Sequence, residues 1–383
     1  MKIEDMISKN RADCSGCSAC ANICPKNCIS MQHDDEGFLY PKINHEVCIS
    51  CGRCDKVCPS LNYNPKLPAM WPEAFVAVYP DEKIRRHSSS GGVFTALSEL
   101  ILSTGGIIFG AGFDENWRVV HTSAENLDEL ENLRGSKYVQ SQIGDVYKRV
   151  KVELEKGRRV LFSGTPCQIA AVRNMFPEDR QIVCIGVVCH GSIERDIWKA
   201  YLKSEAKRGC IKAVTMRDKS KGWLNYGLKL SFENGTEYIT YRKENGYFLK
   251  AFTDGLLERD RCLDCTYKGD QIKADILLGD AWGMETVCPD LTDEWGLSGA
   301  ICLTDIGRDL FYAVRAGLEC REVRVETLIE KNQRIVSPAK VDTRYKAFRK
   351  KFDASPEKIQ ELCEQYEKPT IMNRISAKLR SMR

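Results

Sequence analysis

Eight cysteines near the start of the chain fall into two runs, and no other feature constrains its folding as tightly. Cys14, Cys17, Cys20 and Cys24 are followed by Pro25, and Cys48, Cys51, Cys54 and Cys58 by Pro59. Both runs read C-x2-C-x2-C-x3-C-P, and a shift of 34 positions carries one onto the other, an internal repeat. Three thiolates spaced by two residues can wrap one inorganic centre from a single tight turn, with backbone amides aimed at its sulfides. The proline turn carries the fourth thiolate away. This is the spacing that holds cubanes of four irons and four sulfides, each fourth cysteine reaching the other run's centre.

The pattern is that of bacterial two-cluster ferredoxins, which predicts such a domain over residues 1–64. It assigns Cys14, Cys17, Cys20 and Cys58 to one 4Fe–4S cluster, and Cys48, Cys51, Cys54 and Cys24 to the other. A zinc ribbon is the competing reading, since paired C-x2-C motifs also bind zinc. Zinc sites rarely add a third cysteine at x2 and the x3-C-P ending, twice over. Cys28 lies outside the pattern and reads as a small buried hydrophobe.

With 383 residues the chain suits two or three domains. Nineteen cysteines would mean disulfides in a short secreted protein, but the start, Met1-Lys2-Ile3-Glu4-Asp5, is charged and lacks an apolar leader. No run of roughly 18 apolar residues is present, so no transmembrane segment is expected. Reduced thiols in a cytoplasmic, anaerobic setting follow as the expectation. A net charge of +4 gives no ground for nucleic-acid binding. The stretch from Lys368 to Arg383 carries five basic residues and no acidic ones, and Ile371, Met372, Ile375, Leu379 and Met382 can share one helical face. It reads as a solvated tail, with peripheral contact to a membrane surface or an acidic partner as the alternative.

Pro65, Pro68 and Pro72 mark a linker, placed with the first strand at residues 65–80. The body, residues 81–340, alternates strand-like and helix-like segments, and 341–383 reads as a helical basic tail. Strands are expected at Ala74–Tyr79, Gly106–Phe113, Val119–Thr122, Arg159–Phe162 and Ile182–Val188. Helices are expected at Val93–Leu102, Ile143–Lys156, Gln168–Met175 and Ile193–Lys207. An antiparallel meander (Val214–Met216, Gly227–Glu233, Glu237–Tyr241) surrounds the Asn234-Gly235 hairpin signal. The fold class is α/β (α+β): a small ferredoxin domain followed by a mixed α/β domain.

Several loops carry site-like chemistry. Ser88-Ser89-Ser90-Gly91-Gly92 directly precedes an apolar helix, where free amides can bind a phosphate or glycines can simply cap. Gly135-Ser136-Lys137-Tyr138, with Gln140 and Ser141, can hold a nucleotide or be a plain surface loop. Cys167 follows one apolar strand and Cys189 another, and Cys262 and Cys265 form a C-x2-C. Sites in open α/β sheets gather at strand carboxyl ends, so these four thiols can meet there as a third metal site. A lone cysteine is otherwise a buried free thiol, the reading kept for Cys184, Cys210, Cys288, Cys302, Cys320 and Cys363. No G-x-G-x-x-G occurs, and Gly110-Ala111-Gly112 lacks the third glycine, so a Rossmann-type nicotinamide site is unsupported.

Ser89-Ser90-Gly91-Gly92, Gly164-Thr165-Pro166-Cys167-Gln168, Cys189-His190-Gly191, Arg261-Cys262-x-x-Cys265 and Ala274–Asp280 occur in that order. As a set they resemble the family of β-subunits of the coenzyme F420 hydrogenases and formate dehydrogenases, here behind a two-cluster ferredoxin. The plant hydroxymethyl chlorophyll reductase is similar too. The match runs from about Asp13 to about residue 335. The resemblance implies an FAD in the body and a 4Fe–4S cluster beside it, with Cys167, Cys189, Cys262 and Cys265 as ligands. It also implies a flavin lined by residues from Ser89, Ser90, Gly91, Gly92, Ser136, Lys137, Tyr138, Gln140, Thr165, Pro166, Gln168, Gly191 and Asp280. His190 becomes the candidate catalytic group, or a hydrogen-bond donor to a cluster sulfide. Asp275 reads as a loop-orienting or capping residue, and Trp223 and Trp282 as stacking or core residues.

Iron–sulfur clusters pass single electrons, whereas organic substrates mostly take two, and a flavin joins the two regimes. The expected function is therefore an iron–sulfur flavoprotein oxidoreductase. It exchanges electrons between a redox partner protein or soluble ferredoxin and an organic hydride acceptor or donor, coenzyme F420 or another. The alternative is a non-catalytic electron-transfer subunit docked to a larger complex.

Overall fold

The computed structural model describes residues 2–34, 37–62, 72–177, 179–340 and 343–366. Pro65, Pro68 and the basic stretch from Lys368 to Arg383, with its apolar face of Ile371, Met372, Ile375, Leu379 and Met382, lie outside them.

The sequence repeat is also a backbone repeat. Helices Ala19–Ile23 and Arg53–Val57 stand at equivalent places in the two runs. Before them the chain turns through left-handed residues at matching positions, Gly16 (φ +68°) with Ser50 (+53°) and Ser18 (+63°) with Gly52 (+67°). These turns aim amides at sulfur: Gly16 N donates to Cys14 Sγ and Ser50 N to Cys48 Sγ, both at 3.4 Å. Strands β1 (Ile29–His33) and β2 (Leu39–Ile43) pair antiparallel between the runs.

The body's strands are β3 (Glu73–Val78), β4 (Ile107–Phe113), β5 (Val119–Ala124), β6 (Val160–Gly164), β7 (Ile182–Val187), β8 (Ile211–Asp218), β9 (Gly227–Phe232), β10 (Glu237–Tyr241), β11 (Ile276–Asp280), β12 (Ser298–Cys302) and β13 (Glu319–Val323). Eight of them form one mixed sheet in the order β13-β3-β12-β11-β7-β6-β4-β5. β4, β6, β7 and β11 run parallel at its centre, and the outer pairs are antiparallel. Both faces are covered, which is why the central strands are unbroken apolar runs. Within β6, Leu161 packs with Leu97, Ile101 and Phe311 on one side. Its neighbours Val160 and Phe162 pack with Tyr147, Val150 and Ile169 on the other, in a cluster that also takes in Ala19 and Val57 of the N-terminal domain.

The meander β8–β9–β10 forms as expected, with Gly235 at φ +82° in its hairpin. Leu228, Leu230 and Phe232 share a core with Trp198, Tyr201 and Phe248, and with Phe348, Phe352, Ile359 and Leu362. The last four belong to helices Tyr345–Ala354 and Ile359–Gln365. The start of the stretch that composition reads as a tail is thus packed into the body.

A buried joint fixes the N-terminal domain to the body. Arg259 is 1% exposed; its guanidinium donates to the Cys14 and Leu39 carbonyls at 3.1 Å each and to Gln140 Oε1 at 3.3 Å. The same group lies over the rings of Phe38 and Tyr40. Asn22 donates to the Gly144 carbonyl at 2.8 Å, and the Tyr267 and Ser60 hydroxyls lie 3.3 Å apart.

Candidate functional site

The parallel strands open at their carboxyl ends onto a cavity of about 380 Å³, within the range of small-molecule sites. β6 ends at Gly164. Thr165 then caps helix Pro166–Met175, its amide donating to Gln168 Oε1 at 2.9 Å, which sets Cys167 in the first helical turn. β7 ends at Val187, and Cys189 follows by two residues. An antiparallel bridge between Ile193 and Glu258 draws the Cys262–Cys265 segment across this end. Gly191 permits that approach: a Cβ there would stand 2.4 Å from Glu258 Cγ.

Four thiols from three separate segments therefore converge. Burial drives the Cys262 thiol well up, and Cys189, Cys167 and Cys265 push it the same way. Burial, then Cys265, pushes Cys167 up to about 12. Cys189 is raised by burial although Lys268 opposes it. Desolvated thiols crowded together, with Lys268 opposing the rise at Cys189 alone, are the donor chemistry that a cluster of ferrous and ferric ions satisfies. Among the described residues, no three His, Cys, Asp or Glu side chains are set for a single metal ion.

The N-terminal thiols divide unequally. Cys20 is raised by burial and then by Cys17, Cys14 and Cys58, the grouping that the crossed motif predicts. Cys17 lines the cavity and feels Cys167, so this group abuts the body's quartet. In the other group Cys51 is exposed. Cys28 sits beside that group, its Sγ 3.3 Å from Cys24 Sγ. The hydrogen bond to Cys24 chiefly pushes the Cys28 thiol up to about 12, so it stays protonated as a donor.

Of the residues named for the flavin, all but Gly91 line the cavity, whereas Asp275 and Trp223 do not. Gly91 instead packs the loop onto the sheet, where a Cβ would meet the Ala77 carbonyl at 2.3 Å. Gly92 (φ +93°) begins helix Val93–Ser103 without a side-chain cap, leaving its first amides free beside the cavity. Ser89 and Ser136 hydroxyls meet there at 2.8 Å.

Other polar groups are already engaged. Ser90 Oγ donates to the Leu297 carbonyl at 2.6 Å, and Lys137 Nζ to the Asn132 and Arg134 carbonyls at 2.6 Å. Gln140 Nε2 donates to the Ser15 carbonyl at 2.9 Å. Asp280 pairs with Arg217 at 2.9 Å and accepts from Trp223 Nε1 at 2.8 Å. Trp223 and Trp282 stack on each other at 4.5 Å. Asp275 is a buried tie, accepting from Arg173, from the Cys184 amide at 2.7 Å and from Thr304 at 2.7 Å.

His190 is held uncharged. Burial, with Arg334 and Lys268 near it, draws the ring down to about 4. Its Nε2 stands 3.5 Å from Glu258 Oε1, but burial pushes that carboxyl up to about 8, so the two form no ion pair at neutral pH.

Sequence reasoning missed several lining residues. His121 is buried and drawn down to about 4 by desolvation. Its Nε2–H donates to the Ser163 carbonyl at 3.1 Å, and Nδ1 accepts from Ser141, 2.7 Å away, whose oxygen accepts from Gln168 Nε2 at 2.8 Å. Arg217, Arg259, Lys268 and Arg334 also reach the cavity. With Arg134 and Arg261, six cationic side chains line it against the single carboxylate of Asp280, a bias toward an anionic ligand, and burial draws a seventh basic group, Lys137, down to about 7. Only the alternation of a lone histidine in β5 could have signalled His121; the arginines follow no motif. Among the described residues no helix is long and apolar enough to cross a membrane.

Comparison with known proteins places family matches along most of the chain. Residues 13–62 match the 4Fe-4S dicluster domain. Residues 74–148 match the N-terminal, and 157–326 the C-terminal, domain of the coenzyme F420 hydrogenase/dehydrogenase beta subunit. One of the F(420)H(2) dehydrogenase subunits of Methanosarcina mazei is 25% identical over 324 residues, covering 81% of this chain and 84% of that protein. The coenzyme F420-dependent sulfite reductase of Methanocaldococcus jannaschii is 30% identical over 168 residues, 42% of this chain and 25% of that protein. A chain of the F420-reducing [NiFe] hydrogenase complex from Methanosarcina barkeri aligns over 75% of this chain and 89% of its own, at 20% identity and a TM-score of 0.46.

Proposed function

We propose, for a chain that belongs to the coenzyme F420 hydrogenase/dehydrogenase family of beta subunits and carries a 4Fe–4S dicluster domain, an iron–sulfur flavoprotein oxidoreductase. It exchanges electrons between ferredoxin-type clusters and an FAD, and the FAD exchanges a hydride with coenzyme F420 or another organic acceptor. The observation that carries the reading is the half-buried quartet of Cys167, Cys189, Cys262 and Cys265 on the wall of a cationic cavity. In this reading the quartet ligates a third 4Fe–4S cluster. Cys14, Cys17, Cys20 and Cys58 ligate the inner N-terminal cluster, and Cys48, Cys51, Cys54 and Cys24 the outer one.

When bound, the flavin supplies the junction between one-electron and two-electron chemistry. The chain's own residues do the rest. The uncapped start of helix Val93–Ser103, with Ser89 and Ser136, receives a diphosphate. Gln168, Ser141 and His121 form an uncharged hydrogen-bonded wall whose donors and acceptors are mutually satisfied. Arg217, held by Asp280, keeps positive charge at the far end. His190 stays neutral beside Cys189, and its ring donates to the backbone at Phe252 and Thr253, which leaves the buried Nε2 as an acceptor.

Anaerobic purification followed by iron, sulfide and flavin analysis tests this. About twelve irons and one FAD per chain support the enzyme, from four irons per cubane. About eight irons without flavin would leave an electron-transfer subunit instead.

A further inference from the structure

Between the inner thiol group and the body lies a buried hydroxyl with no partner of its own. Tyr147 stands in the first turn of helix Val146–Glu155 and is fully buried. Its ring centre lies 5.8 Å from that of Phe162 on β6. The hydroxyl oxygen is closed off from solvent and meets no hydrogen-bond partner among the described residues. An unpaired buried hydroxyl costs about 1 to 3 kcal/mol, so its presence points to a partner that the polypeptide does not supply.

The surroundings identify that partner. Helix Ala19–Ile23 packs on helix Val146–Glu155, and Cys17 packs against the cluster of side chains that holds Tyr147, Ala19 and Phe162. Burial first, then Cys17, Cys167 and Cys184, hold the phenol well above its ordinary range, so it keeps its proton and stays a donor. Cys184 is itself pushed up to about 12, chiefly by burial, and as a neutral thiol it is a weak acceptor. A second buried tyrosine, Tyr267, also has Cys17 and Cys167 among its neighbours, but its hydroxyl lies 3.3 Å from that of Ser60. Only one of the two hydroxyls is thus left for a group that is not protein.

From this orphaned donor, and resting on the inner-cluster assignment proposed above, we infer that the Tyr147 hydroxyl donates a hydrogen bond to the inner N-terminal cluster at the Cys17 sulfur and raises that cluster's reduction potential. Hydrogen bonds to sulfur are one of the means by which a protein sets such potentials. One electron taken up by the cluster places more negative charge on its sulfurs, and a charge-assisted hydrogen bond strengthens in response. The O–H bond stays intact and no proton moves. Tyr147 therefore favours the electron on the inner centre, between the outer centre and the body.

The test uses the full chain, purified anaerobically, in redox titrations followed by electron paramagnetic resonance. Cys17→Ser alters the inner cluster's own signal and so identifies it. Tyr147→Phe keeps the ring and removes only the hydroxyl. It should lower the inner cluster's equilibrium constant for reduction about tenfold, which is about 59 mV for one electron. The outer cluster's midpoint and the iron content should not change. After exchange into deuterated water, one deuteron coupling at the reduced inner cluster should be present in the wild type and absent from Tyr147→Phe. Tyr267→Phe, whose hydroxyl is engaged with Ser60, is the control and should shift the midpoint less.

Four results would overturn the inference. They are an unchanged inner midpoint in Tyr147→Phe, a full set of deuteron couplings in that variant, an equal shift in Tyr267→Phe, or loss of iron from Tyr147→Phe, which would make the hydroxyl a structural group. The inner cluster is read here directly. A wild type with about eight irons and no flavin would therefore fail the preceding proposal and leave this measurement intact.

Discussion

The N-terminal thiol groups and the thiol quartet of the body are built by different means. Each N-terminal group takes most of its sulfurs from one tight turn, shaped by two left-handed residues and amides that donate to sulfur. The quartet takes its sulfurs from the ends of β6 and β7 and from a segment bridged to Ile193, and so exists only when the body is folded. The first design makes a self-contained relay. The second puts thiols on the wall of a cavity, where a relay can meet a bound molecule. Arg259 and Phe38 join the two designs, and Cys17 touches both.

The sharpest way to break this comparison is to remove the inner relay. Cys17→Ser should let reduced ferredoxin reduce the outer centre while flavin reduction slows by at least about a hundredfold, roughly 2.7 kcal/mol of barrier. Stopped-flow spectra with parallel electron paramagnetic resonance would follow both. Undiminished flavin reduction would mean that electrons bypass the inner group.

Next is the joint. Arg259→Ala removes three charge-assisted hydrogen bonds and two ring contacts, and should cost about 2 to 4 kcal/mol in denaturant unfolding. Limited proteolysis should then free the N-terminal domain while the body resists. A variant that unfolds in one unchanged transition would contradict a discrete joint.

The cavity wall gives a pH signature. His121 is buried and neutral, with its folded-state pKa lowered to about 4, below the unfolded value. Between about pH 6.5 and 4 the unfolded chain binds the proton that the folded one refuses. The stability from this group is thus present above pH 6.5 and lost as pH falls toward 4, on the order of 3 kcal/mol. Comparing His121→Asn with the wild type across that window isolates the slope, and parallel curves would count against a buried neutral histidine.

The smallest effect separates the two N-terminal groups. Cys28 donates toward Cys24, whereas the repeat places Asn62 at the matching position after Cys58. Cys28→Ala should lower one cluster's midpoint by roughly 40 mV, the one-electron equivalent of a hydrogen bond worth about 1 kcal/mol, with iron content kept. Loss of iron would instead make Cys28 a ligand.

Much of this was legible in the residues themselves. The two runs announced their turns because the needed contacts lie within a few positions. β4, β6 and β7 were readable as apolar runs, since strands buried on both faces have no polar alternation to hide them. β12 and β13 were not: Ser-Gly-Ala-Ile-Cys is too small to signal a strand, and Glu-Cys-Arg-Glu-Val is a polar edge. The loop motifs located the cavity, but the roles of their side chains shifted. Lys137, Gln140 and Thr165 hold the loops in place, a use of polar groups that depends on partners distant in the chain. Arg217 and Arg259 carried no local pattern at all, because their partners arrive only with the tertiary fold.

The claim on which the rest depends is that the body carries its own cluster at the quartet. Cys262→Ser combined with Cys265→Ser, purified anaerobically and analysed for iron and flavin, tests it directly. The expected result is a loss of about four irons per chain, with FAD retained but no longer reduced through the N-terminal clusters. Iron content equal to that of the wild type would contradict it.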